Sequence, residues 1–319
     1  MIKLIASDMD GTLINSDHTI SQENLEAIKE AESRGIKFAI VTGRAYDDVR
    51  PLIDEYNLDC ECVALNGGEY YDKAGNVIEG IYIDKNKVRE ILNVMMTGEF
   101  SVEIYTDKGY YTTNTEEETL RGMIKRAKTF HKDLNSDSEY IKFAKANPHF
   151  INMNYITDID EFLKSDVKIA KFVTFGESEK EVIELRKKLE KLSGLAISSS
   201  FITNIEVNDS KATKGAILAK VIEKFGLNRE QVLVLGDGLN DYTMFKEFPN
   251  CIAMENAIPE IKEIAKYVTE SNDDAGVGKA ICAGDHSSLS FHPVLERSYE
   301  DVQKAANLLA LQLRQRKSL

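Results

Sequence analysis

Ile2-Lys3-Leu4-Ile5-Ala6-Ser7-Asp8-Met9-Asp10-Gly11-Thr12 opens with an apolar run and closes on two carboxylates and a glycine. A short Ile/Leu-rich run that stops at an Asp/Gly turn reads as a strand ending at the acids. The same rhythm continues. Helical patterns at Gln22 to Ser33 and Ala45 to Tyr56 alternate with apolar runs at Lys37 to Val41 and Cys62 to Leu65, the order expected of parallel βαβ units. Ser21 precedes the first helix and Gly35 closes it, the usual asymmetry of helix caps.

The alternation returns late in the chain. Gly215 to Phe225 reads as a helix, Gln231 to Leu235 as a strand and Asp241 to Phe248 as a helix; Ile258 to Ala265 and Tyr267 to Thr269 repeat the pattern. Between the two halves lies a segment of different texture. Ser101 to Thr106 and Tyr110 to Thr113 flank Asp107-Lys108-Gly109 as a hairpin, and Lys180 to Leu192 reads as a charged helix. The expected fold is therefore α/β: a Rossmann-like parallel sheet core, residues 1–83 and 204–281, with an inserted α+β domain, residues 84–203. Residues 282–319 contain no isoleucine. Their Tyr299 to Gln315 stretch reads as an amphipathic helix, with docking on the core, an oligomer contact or a foreign extension as open readings.

Size and composition narrow the class. A chain of 319 residues is long for one domain, and 43% hydrophobic with 29% charged residues is a folded composition. The formal net charge of −13 opposes binding to nucleic acid, which depends on many Lys and Arg contacts to phosphate. A small phosphorylated ligand would need local positive charge. The opening residues contain no apolar region of signal-peptide length and no stretch approaches a membrane span. Four cysteines are expected as reduced thiols, with Cys60 and Cys62 packed in a strand. A cytoplasmic protein with no membrane partner is the expectation.

The acids carry the chemistry. In an extended chain residues i and i+2 face the same way, so Asp8 and Asp10 are expected to share the crevice beyond a strand's carboxyl end. Like charges so close call for a cation, and an all-oxygen set favours Mg²⁺. Capping of a turn is the plainer reading of such a pair. Gly236-Asp237-Gly238-Leu239-Asn240-Asp241 places two more carboxylates at the same sheet edge. Asp241 stands where a dinucleotide fingerprint needs its third glycine, so that cofactor is disfavoured. Helix capping by Asn240 or Asp241 is the alternative. Val41-Thr42-Gly43-Arg44 brings a hydroxyl and main-chain N–H groups to a helix start, suited to phosphate oxygens or to a plain cap. Lys214 sits where a helix dipole disfavours a cation, and about 4 Å from a phosphate oxygen it would contribute on the order of 4 kcal/mol at an effective dielectric of 20. Lys211 is its competitor. No P-loop is present.

Taken in order, Asp8-Met9-Asp10-Gly11-Thr12-Leu13, Val41-Thr42-Gly43-Arg44, Asn66-Gly67-Gly68, Lys214-Gly215 and Gly236-Asp237-Gly238-Leu239-Asn240-Asp241 resemble the haloacid dehalogenase-like hydrolases, and within them the Cof-type phosphatases with a large α/β cap. Met254-Glu255-Asn256-Ala257 and Ser271-Asn272-Asp273-Asp274-Ala275-Gly276-Val277 extend the likeness, which covers about residues 1–281. Gly68 stands where the family often has Ala.

The resemblance implies an aspartyl-phosphate mechanism with Asp8 as nucleophile and Asp10 as acid and base. Thr42, the Gly43 backbone, Lys214 and Asn240 would bind the phosphoryl group. Asp8, the Asp10 main-chain carbonyl and Asp237 would bind Mg²⁺, with Asp241 directly or through water. The middle segment would be the cap that chooses the leaving group, with Tyr105, Tyr110 and Tyr111 read as hairpin packing ahead of cavity lining. The expected substrate is a sugar phosphate or similar metabolite. A phosphosugar mutase and a non-catalytic regulatory protein retaining the fold are the alternatives.

Overall fold

The structure, a computed structural model, describes residues 1–283 apart from 98–100, 132–133, 177 and 202. The helix expected at Tyr299 to Gln315 lies outside the described residues. The chain divides into two compact units. The first comprises Met1–Ala64, Tyr71–Asn76 and the described chain from Lys214 on; the second comprises Leu65–Tyr70 and Val77–Thr213.

Six parallel strands of the first unit lie side by side in the order Tyr267–Val268, Asn250–Ala253, Val232–Gly236, Leu4–Ser7, Lys37–Val41, Cys60–Ala64. Leu4–Ser7 is the pivot. Ser7 stands opposite Leu235 on one side and Ile40 on the other, so Asp8, Asp237 and the residues after Val41 leave neighbouring strands at one edge. The order reverses direction at this pivot, which is where open α/β sheets bind ligands. The central strands are near-continuous apolar runs, buried throughout from Leu4 to Ser7 and from Val232 to Gly236, as a sheet covered on both faces requires.

Helix Gln22–Ser33 begins as the cap pattern predicts: the Ser21 hydroxyl accepts from the Asn24 N–H at 3.2 Å. Gly35 follows it at φ +78°, a left-handed conformation suited to glycine.

The second unit is an antiparallel sheet in the order Leu195–Ser198, Asn204–Asp209, Ile169–Phe175, Ser101–Thr106, Gly109–Thr112, with Met153–Tyr155 added in parallel at the edge. Helices Lys85–Met95 and Glu179–Leu189 bury Val88, Ile91, Val182 and Leu185 in one cluster with Ile104, Phe172, Ile205 and Val207. The alternation of those strands puts Glu103, Lys171 and Glu206 on the opposite face. This unit runs to Thr213 and includes Asn204–Asp209, which pairs with Ile169–Phe175. Tyr105 and Tyr110 meet edge-on at 4.9 Å and Tyr111 packs on Phe162; these contacts are hairpin and core packing.

All four cysteines are free, and Cys60, Cys62 and Cys251 are buried. Burial pushes the Cys60 thiol up to about 12, which suits packing and not thiolate chemistry. Among the described residues no helix is long and apolar enough to cross a membrane.

Candidate active site

Asp8 leaves the end of Leu4–Ser7 almost wholly buried. Asp237 follows Val232–Gly236, and Asp241 closes the turn beyond it. The carboxylates of these three residues each offer an oxygen within 4.8 Å of the others. Lys214, the first residue of helix Lys214–Lys224, is fully buried and reaches into this group. Its Nζ donates to Asp8 Oδ1 at 2.6 Å and to Asp241 Oδ1 at 2.7 Å.

Electrostatics follow from the count of three acids against one cation. Burial, with Asp241 and Asp237 adding to it, raises Asp8 well above the usual carboxylate range despite Lys214. Burial and Asp241 push Asp237 up to about 7. Burial works against the Lys214 ammonium, but Asp241 and Asp8 outweigh it and hold the group above its ordinary value. The cluster carries surplus negative charge in a poorly solvated place, and a hard divalent cation with oxygen ligands matches that donor set.

Local geometry explains why the sequence takes this shape. Gly11 has φ +73°, and a Cβ there would sit 2.5 Å from Asp237 Oδ2, so any larger residue would displace that carboxylate. Thr12 donates its hydroxyl to Asp237 Oδ1 at 2.7 Å. Asp241 does not cap the following helix Tyr242–Glu247 with its side chain; Oδ2 turns back to accept the N–H groups of Asp237 and Gly238 at 3.0 and 2.9 Å. Gly215 lies so near the Thr243 carbonyl that a Cβ would collide with it, which lets the lysine-bearing helix approach.

Asp10 is placed differently from its neighbour. The strand stops at Ser7, so the i, i+2 alternation that would aim Asp8 and Asp10 together no longer applies. Its carboxylate is gripped by Arg44, with Nε to Oδ2 at 2.8 Å and Nη2 to Oδ1 at 2.5 Å, and it is outside the three-acid group. A bidentate guanidinium fixes both position and orientation of a carboxylate. Along the chain the signal for Arg44 is its place two residues after Thr42 in Val41-Thr42-Gly43-Arg44.

Thr42 is fully buried, and its hydroxyl accepts from the Arg44 N–H at 3.2 Å. It does not cap helix Tyr46–Glu55, whose N-cap is Ala45. Gly43 follows it, partly buried. Asn240 is partly buried in the turn Leu239–Asp241. Lys211 is exposed and outside the acid group, its N–H spent on Asp209, so Lys214 is the buried cation.

A family described as haloacid dehalogenase-like hydrolase matches residues 5–281. The chain belongs to that family. It is 35% identical over 281 residues to a 5-amino-6-(5-phospho-D-ribitylamino)uracil phosphatase of Bacillus subtilis (strain 168), covering 88% of this chain and 94% of that protein. A second B. subtilis phosphatase of the same name is 32% identical, with 86% and 96% covered. The structure of a haloacid dehalogenase-like hydrolase from B. subtilis superposes with a TM-score of 0.76 at 28% identity, covering 88% of this chain and 99% of that one. The chain is thus a HAD-like phosphoric monoester hydrolase, and its acidic group is of the kind that binds a metal.

Proposed function

We propose that this chain is a Mg²⁺-dependent phosphatase of small phosphorylated metabolites, sugar phosphates or similar, working through an aspartyl-phosphate on Asp8. The observation that carries the reading is the state of Asp8. One oxygen accepts from Lys214 at 2.6 Å, and Asp237 and Asp241 each bring a carboxylate oxygen within 4.8 Å of an Asp8 oxygen. Asp8, Asp237 and Asp241, with the main-chain carbonyl of Asp10, would hold Mg²⁺, which when bound supplies positive charge against the phosphoryl oxygens.

Phosphoryl transfer depends mainly on alignment and on stabilising charge that spreads over the transferring group. Lys214 orients the Asp8 carboxylate and offers its ammonium to the phosphoryl oxygens. Thr42, the Gly43 N–H and Asn240 bind the remaining oxygens. As Asp8 bonds to phosphorus, the ester P–O bond breaks and the leaving oxygen takes a proton from Asp10. Asp10 then removes a proton from water, which attacks phosphorus and frees Asp8 and inorganic phosphate. General acid–base help of this kind contributes about 10² to 10⁴ in rate. Arg44 holds the Asp10 carboxylate once its proton has gone to the leaving oxygen.

The relatives named for a phosphoribitylamino-uracil point to a primary alkyl phosphate on a polyol, with the inserted unit assigned the choice of leaving group. A cytoplasmic setting fits the free cysteines.

The test is phosphate release from a panel containing hexose phosphates and that ribitylamino-uracil phosphate, with Mg²⁺ or EDTA. Release that needs Mg²⁺ and disappears in Asp8→Ala is expected. Isomerised product without free phosphate would favour a mutase, and equal release by the variant would remove Asp8 from its role.

A further inference from the structure

The segment that follows Asp10 is held by side chains from three other parts of the chain. Asn256 Nδ2 donates to the Gly11 carbonyl at 2.8 Å, Asn24 Nδ2 to the Leu13 carbonyl at 3.3 Å, and Asn272 Nδ2 to the Ile14 carbonyl at 3.0 Å. Asp273 closes the far end, accepting the Ser16 N–H at 2.7 Å and the Ser16 hydroxyl at 2.8 Å. Asn24 lies in helix Gln22–Ser33, Asn256 after strand Asn250–Ala253 and Asn272 after strand Tyr267–Val268.

The holders are themselves tied together. The Asn272 N–H donates to Asn256 Oδ1 at 3.0 Å, and Asn24 Oδ1 accepts the Gly278 N–H at 2.7 Å. Asn24 is fully buried and Asn272 nearly so. A buried amide bonded at both its oxygen and its nitrogen admits one orientation, because turning it over would put oxygen against carbonyl. Water could satisfy the same carbonyls without fixing their direction. Asn24 is fixed in that way, and Asn256 and Asn272 add two further donors along the same main-chain segment.

That path decides where Asp10 stands. Asp10 and Ile14 face each other as an isolated bridge, so locating the Ile14 carbonyl locates the Asp10 backbone. Arg44 grips the carboxylate end of the same residue. We infer that Asn24, Asn256 and Asn272, with Asp273, are positioning residues for Asp10, bracketing the main chain from which the proton donor projects. The role of Asp10 as proton donor rests on the phosphatase reading; the bracket rests on the hydrogen bonds alone.

A misplaced acid matters most where the leaving oxygen needs its proton. An alkyl phosphate such as glucose 6-phosphate has a poor leaving group, whereas 4-nitrophenyl phosphate departs with little protonation. Full-length Asn272→Ala and Asn256→Ala with Mg²⁺ are expected to lose about 10²-fold in kcat/KM on the alkyl ester and less than about threefold on the aryl ester, where the acid contributes little.

Hydrogen exchange supplies a readout independent of turnover: the Ile14 and Ser16 amides are expected to exchange at least about tenfold faster, with strand Val232–Gly236 unchanged. Equal losses on both esters, or unchanged exchange at Ile14 and Ser16, would overturn the bracket. If the wild type releases phosphate from neither ester, the phosphatase reading falls and exchange alone decides the bracket. Asn256 is solvent-exposed, so Asn256→Ala serves if Asn272→Ala does not fold.

Discussion

Each of the two units buries ionisable side chains, and they do so with opposite results. In the first unit Asp8, Asp237 and Asp241 share the single ammonium of Lys214; Asp8 is raised and Asp237 is pushed up to about 7. In the second unit Glu103 is as deeply placed, yet it is drawn down to about 2. Burial there is outweighed by Arg126 at 3.2 Å, by His149 and by the Tyr105 hydroxyl at 3.1 Å. Beside it Lys171 lies 5.0 Å over the Tyr105 ring and pairs with Glu206, which also accepts from Asn66, Ser200 and Asn204. A satisfied cluster holds a fold together; a cluster left with surplus charge is ready for a ligand. Burial alone distinguishes neither, and the count of compensating partners distinguishes both.

Neutralising the nucleophile tests the under-compensated side most sharply. Asp8→Asn is expected to reduce phosphate release to the uncatalysed background, because the covalent bond to phosphorus forms on that carboxylate. Glu103→Gln should retain turnover within about tenfold, since Glu103 serves packing and pairing in its own unit. Comparable losses in the two variants, assayed side by side on one phosphate ester, would erase the distinction between the clusters.

The next effect is on stability without metal. A surplus carboxylate destabilises the folded chain, so Asp237→Asn in EDTA at pH 8 should be more stable than wild type. The gain is on the order of 2 kcal/mol once solvent screening at a partly exposed group is allowed for, seen as a thermal midpoint several degrees higher. Added Mg²⁺ should raise the wild-type midpoint by mass action and leave the variant nearly unmoved. A variant less stable than wild type in EDTA would mean that Asp237 is already compensated.

Much of this site was legible along the chain because strand ends and short-range patterns are local properties. The apolar run before Asp8, the run before Gly236-Asp237 and the helix start at Lys214 each marked a position at one sheet edge, and the parallel order followed from the alternation of strands with helices. What the chain did not disclose was pairing across sequence. The spacing of Asp8 and Asp10 suggested a common direction, but the strand ends at Ser7 and Arg44 takes Asp10 aside. Asn256 and Asn272 stand in stretches that carry the family likeness and Asn24 in none, but only three-dimensional proximity shows that the amides of Asn256, Asn24 and Asn272 meet the carbonyls of Gly11, Leu13 and Ile14. Nothing local shows that Asn204–Asp209 pairs with Ile169–Phe175. Glu103, Lys171 and Glu206 alternate with apolar neighbours as an exposed strand face would; the partners that bury them come from elsewhere.

Acid titration separates the compensated cluster from the other in the reverse sense. Glu103 has a folded-state value near 2 against an ordinary 4.5, so its ionised form is favoured in the folded chain and its contribution is fully present above about pH 4.5. The contribution shrinks as pH falls from there towards 2, where the folded and unfolded chains bind the proton alike. It amounts to about 3 kcal/mol at neutral pH. Glu103→Gln should therefore be less stable than wild type by roughly that amount at pH 7, and the gap should narrow as pH approaches 2. Denaturant unfolding of both proteins across pH 2.5 to 7, an interval set by that shift, gives the difference directly, and groups titrating alike in both proteins cancel. A gap that stays constant with pH would mean that Glu103 acts by shape and hydrogen bonding alone, and that its charge is no better compensated than that of Asp237.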